Sequence, residues 1–250
     1  MLTSDRHQKI IDLINQKQTV TIQDVSAITG ASESTVRRDL TELENQHKLR
    51  RIHGGATIHE QINSESSIGE KATKNHQEKT AIAKHAASLV EEGDCIFLDA
   101  GTTTMQMIPF LKGKQVTVVT NGLTHIDSLA ENGIATYMTG GYMKSKTSAL
   151  IGTQTMEMLE NYRFDACFIG VNGFDTVYGY TTPDPEEAVV KRSALNLARS
   201  KYVLADDSKY QSVTFAGVAE LDAACLITTL TDEHMLNSLK DHTDVRSVSP

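Results

Sequence analysis

Apolar positions in the first sixty residues recur at helical spacing in three blocks separated by polar breaks. Ile10, Ile11, Leu13 and Ile14 follow one helical stripe, which Ser4 is placed to cap. Thr21 opens a second block, in which Ile22, Val25 and Ile28 face inward, and Gly30, tolerant of positive φ, closes it. Ser32 caps a third. There Val36, Leu40 and Leu43 stand at i, i+4 and i+7, so at about 100° per residue they share an inner face. Ser34, Arg38, Thr41 and Asn45 then share the outer face, flanked by Arg37 and Glu42. The period next shortens to two: KLRRIHGGATIH alternates charged and aliphatic residues around Gly54-Gly55, which predicts a hairpin with a tight turn. Helices followed by a hairpin predict a winged helix-turn-helix over residues 1–58.

From His59 to Asn75 the chain becomes polar and loses periodicity, predicting a linker over 59–75. Across 76–250, short apolar segments (CIFLDA, VTVVTN, ATYMTG, ACFIGV, YVLADD, ACLITT) alternate with helical patterns such as HQEKTAIAKHAASLVEE and PEEAVVKRSALNLARS. That alternation predicts an α/β domain with a mainly parallel sheet. Such sheets bind ligands beyond the carboxyl ends of their strands. Here those ends are polar: Asp99, Gly101, Thr102, Thr103 and Thr104 after the first, Asn121 after the second and Gly140-Gly141 after the third. Asn172-Gly173 and Ala205-Asp206-Asp207-Ser208-Lys209 follow two more. Any one of these is ordinary turn chemistry. Five on one edge predict a binding site.

The glycine and three threonines entering a helix offer backbone N–H groups and hydroxyls suited to phosphate. Lys191 and Lys209 can complete an anion site. Neither G-x-x-x-x-G-K-[ST] nor a strand-borne G-x-G-x-x-G occurs, so no nucleotide cofactor is expected. Cys95, Cys167 and Cys225 lie far apart in apolar contexts without C-x-x-C spacing, which reads as buried thiols and no metal site.

A chain of 250 residues with 39% hydrophobic content suits two ordinary domains. Its net charge of −8 is unevenly placed: residues 1–58 carry +1 and the remainder −9. Between residues 34 and 55, Arg37, Arg38, Lys48, Arg50 and Arg51 outnumber Asp39, Glu42 and Glu44, a narrow basic strip in an acidic molecule. The opening MLTSDRHQKI is charged almost at once and no apolar run approaches the roughly 18 residues of a membrane span. A cytoplasmic location is expected.

Hydroxyls and arginines on an exposed helical face suit the major groove, although most charged helical faces are only solvated. The hairpin behind this one gives it a wing, where Arg50, Arg51 and His53 would flank the DNA backbone or reach toward the minor groove. Arg6, Ile10 and Ile14, then Ser32-x-x-Thr35-Val36-Arg37-Arg38-Asp39-Leu40, resemble the signature of the DeoR family of bacterial sugar-metabolism repressors. The resemblance implies that TVRRDL is the DNA-recognition helix and that His53, Gly54, Gly55 and Ala56 form the wing turn. Ser32, Ser34, Thr35, Arg37, Arg38 and Thr41 are its expected DNA contacts, with Asp39 read as orienting Arg38 or a nearby backbone group.

DAGTTT, GVNGFD, GYTTPDPEEAVVKR and ADDSKY are similar to segments of the family's effector domain, which resembles ribose-5-phosphate isomerase in fold and answers to phosphorylated sugars. Asp184, Glu187 and Lys191 thereby join the expected effector site. MLTSDRHQKIIDLI, ASESTVRRDL and TTPDPEEAVVKR are most similar to family members that govern fructose operons in Gram-positive bacteria, implying fructose 1-phosphate as inducer. Expected partners are operator DNA, a sugar phosphate and further copies of the chain, as a dimer or tetramer presenting paired recognition helices. The competing reading is a sugar-phosphate isomerase, with Glu187 as general base and Lys191 or Lys209 stabilising an enediolate. An isomerase has no use for a DNA-reading module.

Overall fold

A computed structural model describes residues 2–17, 19–46, 48–52, 54–58 and 65–250. The chain divides into two compact units, Met1–Gln61 and Ile62–Pro250.

In the first unit, α1 (Thr3–Lys17), β1 (Thr19–Thr21), α2 (Ile22–Thr29), α3 (Glu33–Asn45), β2 (Leu49–Ile52) and β3 (Gly55–Ile58) follow in order. Ile10, Ile14, Val20, Ile22, Val25, Val36, Leu40, Leu43, Leu49 and Ala56 form its core. Thr21 caps α2 through a capping box with Asp24, Gly30 closes that helix at φ +68°, and Ser32 caps α3. Two details differ from expectation. Ser4 is not a cap: α1 starts at Thr3, with the Arg6 N–H already donating to the Leu2 carbonyl. Ile28 is 40% exposed, because it lies in the last turn of α2, beyond the core that Ile22 and Val25 enter. The hairpin forms, and β1 joins it to make an antiparallel sheet of order β1-β3-β2.

The second unit begins with α4 (Ile68–Thr73), inside the stretch read as linker. A capping box between Ser67 and Glu70 starts this helix, and the Ile68 N–H donates to the Lys146 carbonyl. Residues from 65 onward therefore fold with the second unit. Next come α5 (His76–Ser88), β4 (Cys95–Leu98), α6 (Thr102–Met105), β5 (Thr117–Thr120), α7 (Ile126–Glu131) and β6 (Ala135–Met138). They are followed by β7 (Tyr142–Lys144), β8 (Ala149–Ile151), α8 (Thr153–Leu159), β9 (Phe164–Gly170), β10 (Gly173–Asp175), β11 (Gly179–Thr182) and α9 (Pro185–Leu197). The chain ends with β12 (Ala198–Leu204), β13 (Ala216–Ala219), β14 (Cys225–Thr228), α10 (Glu233–Lys240) and β15 (Val245–Ser247).

Seven strands make one sheet, order β15-β14-β12-β9-β4-β5-β6, and every pairing in it is parallel. Alternate residues bury on opposite faces: Phe97, Cys167, Val203 and Leu226 enter one core, and Ile96, Leu98, Phe168, Leu204 and Ile227 the other. A sheet covered on both faces explains why its strands read as continuous apolar runs. The parallel arrangement brings the five polar strand ends to one edge. Smaller antiparallel sheets, β10-β11-β13 and β7-β8, stand apart from it. Of the cysteines, Cys167 is buried and Cys225 half-buried, but Cys95 is exposed because it opens β4 at the amino end. No helix among the described residues is long and apolar enough to cross a membrane.

Candidate functional site

In the first unit, the face of α3 opposite its core residues carries Ser34, Arg37, Arg38, Thr41 and Asn45, all exposed. Ser32, Ser34 and Thr35 gather their hydroxyls within 3.0 Å at the start of the helix. Arg37 lies 3.7 Å from Glu33 one turn earlier, a solvated pair of little strength. Thr41 accepts from Arg51 Nη1 at 2.9 Å and donates to the Arg37 carbonyl, so the strand β2 arginine is tied to the helix. The Arg51 N–H also donates to Glu44 at 2.7 Å. Gly54 turns the hairpin at φ +79°. Gly55 is buried within the sheet, where a Cβ would stand 2.0 Å from the Val20 carbonyl oxygen; its requirement is steric. Arg50 is half-buried in β2, and His53 lies outside the described residues.

Asp39 does not orient Arg38. It is buried beneath α3 and receives a two-pronged hydrogen bond from Arg6 of α1, Nε to Oδ2 at 2.5 Å and Nη2 to Oδ1 at 2.9 Å, with His7 at 3.3 Å. The Arg6 guanidinium holds the Asp39 carboxyl below its ordinary pKa. This pair locks α3 against α1 at a chosen rotation. Arg6 stands in the sequence signature, but nothing in the spacing names Asp39 as its partner.

In the second unit the polar strand ends surround a network of opposite charges. Asp99, directly after the interior strand β4, is buried and accepts from the Gly170 N–H at 3.1 Å and from the Lys191 ammonium of α9. Burial pushes the Asp99 carboxyl above its usual pKa, against the pull of Lys191 and the Gly170 amide. Lys191 is thus a partner of Asp99 and not a free cation. One turn before it, Glu187 accepts from Thr147 at 2.7 Å and from Lys144 at 3.1 Å. Asp184 caps α9 through the Glu186 and Glu187 N–H groups and lies 2.8 Å from Lys144. Glu65 meets the same ammonium at 2.6 Å. Burial opposes the charge on Lys144, but Asp184, Glu65 and Glu187 together hold its pKa above the ordinary value.

Lys209 sits half-buried in a 3-10 turn, Asp207–Lys209, after β12. Thr102 and Thr103 are buried at the start of α6, and no described residue bonds their hydroxyls. Thr104 is engaged internally, reaching the carbonyls of Asp99 and Gly101 at 2.6 and 2.9 Å. Asn121 is likewise a brace, accepting from the Ala100 N–H at 2.8 Å and donating to the Leu150 carbonyl. The remaining expected positions have packing roles. The Gly140 carbonyl accepts from Thr155, Gly141 could not admit a Cβ beside Thr155 and Ile151, Asn172 accepts from Thr182, and Gly173 lies hard against the Ser212 carbonyl.

Three participants escaped sequence reading: Lys144, Glu65 and Lys71, whose ammonium lies 3.9 Å from Glu65 Oε1. They sit in a short hairpin and a polar stretch without periodicity. His125 also went unnoticed; fully buried, it lies 3.2 Å from the Gly101 carbonyl and 3.0 Å from Thr120 Oγ1, bracing the turn that presents the threonines. A cavity of about 310 Å³, lined by Arg163, Phe164 and Arg199 among others, opens at the amino ends of β9 and β12. It is at the wrong end of the strands for a parallel-sheet ligand site.

Residues 6–62 match the DeoR-like helix-turn-helix domain, and residues 74–231 match the DeoR C terminal sensor domain. The chain belongs to the DeoR family. This DeoR-family chain is 47% identical, over the full length of both proteins, to a Bacillus subtilis protein named uncharacterized HTH-type transcriptional regulator FruR. It is 36% identical to the lactose phosphotransferase system repressor of Streptococcus mutans, over 98% of this chain and 99% of that one. Among solved structures, ribose 5-phosphate isomerase A from Methanocaldococcus jannaschii aligns at a TM-score of 0.40 and 20% identity, over 55% of each chain. Relatives spanning the DeoR-family chain are named as regulators and repressors, so it is a transcriptional regulator and the isomerase reading is set aside.

Proposed function

We propose that the chain is a cytoplasmic repressor of a sugar-utilisation operon, released from its operator by a phosphorylated sugar. The observation that carries this reading is the exposed Ser34–Arg38–Thr41 face of α3, in one chain with a second unit whose ligand edge is rich in lysine. Residues 1–58 read DNA, with Arg38 forking onto a guanine edge and Arg37, Arg50 and Arg51 on the backbone. Residues 76–250 sense the effector. Thr102, Thr103 and Lys209 bind its phosphate, and Asp184, Glu187 and Lys144 face its hydroxyls. Fructose 1-phosphate is assigned on the fructose-type segments of the sequence and the FruR relative. A symmetric dimer or tetramer presents paired recognition helices to repeated half-sites.

Release requires that the sugar phosphate bind one arrangement better than the other; a ten- to hundredfold fall in operator affinity corresponds to about 1.4 to 2.8 kcal/mol of coupling. Fluorescence anisotropy on a promoter fragment selected by the protein tests the division of labour. Arg38→Ala weakens operator binding by about 1 to 3 kcal/mol and leaves effector binding intact. Lys209→Ala keeps operator affinity and loses release. Operator affinity unchanged by saturating fructose 1-phosphate removes that assignment, and indifference to every sugar phosphate removes the reading.

A further inference from the structure

His125 closes a buried chain of hydrogen bonds that is one proton short. The chain runs from the Leu98 carbonyl to Thr120 Oγ1 at 2.6 Å, from Oγ1 to His125 Nδ1 at 3.0 Å, and from Nε2 across the ring to the Gly101 carbonyl at 3.2 Å. Each of these contacts needs a proton. The carbonyls at the two ends supply none, the hydroxyl has one, and a neutral imidazole has one. The short contact takes the hydroxyl proton to Leu98, while Thr120 Oγ1 also accepts from the Gly122 N–H. Both ring nitrogens must then donate if Thr120 and Gly101 are to be satisfied, which only an imidazolium does. Burial opposes that charge and holds the pKa at about 4, with only the Gly101 carbonyl pulling upward.

The surroundings supply no counter-charge. Asp99 after β4 is paired with Lys191, Cys95 opens β4 at its opposite end, and Asp127 and Glu131 of α7 are exposed. α6, β5 and the 3-10 turn Ile108–Leu111 carry no ionisable side chain. The Gly101 carbonyl shares a trans peptide with the Thr102 N–H, which therefore points away from His125, and no described residue accepts from that N–H. A hydrogen bond on the carbonyl end of a peptide strengthens the donor at its other end.

We propose that His125 is a positioning residue for the effector: it takes up the missing proton from solvent when a phosphate is seated at Thr102 and Thr103, and so fixes the Gly101–Thr102 peptide as a donor. This rests on the sensor reading given above. The phosphate supplies the absent counter-charge, and the second ring N–H completes the chain to Thr120 and Gly101.

Histidine ring 15N shifts of the full-length wild type at pH 6 test this, with His125 assigned through its Thr120 and Gly101 neighbours. The ring is neutral in the free chain and turns to imidazolium with fructose 1-phosphate, ribose 5-phosphate or inorganic phosphate, but not with unphosphorylated fructose. Titration calorimetry adds a second readout. The ratio of wild-type to His125→Gln affinity for fructose 1-phosphate rises about three- to tenfold from pH 7.5 to pH 5.5, and the ligand's own titration cancels in that ratio. A merely structural histidine gives a ratio that does not move with pH. A ring that stays neutral with phosphate bound, or a flat ratio, overturns the proposal alone. A wild type that binds none of the phosphates overturns the sensor reading and the proposal together.

Discussion

Asp39 shows what one residue's neighbourhood in sequence hides. Beside Arg38, it invites a local pairing, yet its partner is Arg6, thirty-three positions away, and the pair is buried. The helical period gave the correct inward position of Val36, Leu40 and Leu43, but no period specifies which buried charge meets which. His125 was silent for the same reason: a lone histidine after N-G-L-T carries no pattern. Its burial has a measurable consequence. Desolvation lowers its pKa from 6.5 to about 4, with the Gly101 carbonyl opposing. The unfolded chain therefore takes up a proton between those values that the folded chain refuses, so stability is intact above pH 6.5 and falls as pH drops toward 4. The full loss amounts to about 3 kcal/mol. Urea unfolding at pH 7 and pH 4.5 checks it: His125→Gln is expected to remove this part of the pH dependence, and an unchanged slope would show that the imidazole is not the group responsible.

At the level of elements, legibility follows length and period. The capped helices, the hairpin and six apolar strands of the parallel sheet could be read because each repeats its pattern over several residues. β1, with three residues, and α4, with six, are too short to show one, and their identity depends on what they pack against. The β10-β11-β13 sheet is studded with glycine and threonine and reads as loop. Gly55 shows how a short strand constrains its neighbour. A methyl group there must displace the Val20 carbonyl and break the β1–β3 pairing, at a cost of about 1 to 3 kcal/mol. Gly55→Ala should thus lower the melting temperature of the first unit and weaken operator binding in proportion. Undiminished stability would mean that β1 and β3 are not paired as described.

For the whole molecule, the charge division visible in the sequence coincides with a division of structure, a small three-helix unit and a larger α/β unit. The sheet's parallel character and its polar edge were both legible, because parallel strands are apolar throughout and change character only where they end. The membership of the site was not, since Lys71, Lys144 and Glu65 come from stretches that look like connectors. Hydrogen exchange with and without fructose 1-phosphate locates the ligand's effect in the molecule. Protection should rise in residues 65–75, 99–104 and 207–209 by up to about 2.7 kcal/mol at a hundredfold excess over Kd, with no rise in α1 or α2. Equal gains in both units would contradict separate reading and sensing roles.

The register of the large sheet also orders events during synthesis. In the first unit the core is assembled from helices and a hairpin that are neighbours along the chain, whereas β4 must wait for β9, with Ile96 pairing Ala166, and β9 in turn for β12. Contacts that span so much chain form slowly, and domains fold from the amino terminus as they leave the ribosome. A newly made chain therefore completes its helix-turn-helix unit before the sheet of its sensor domain exists.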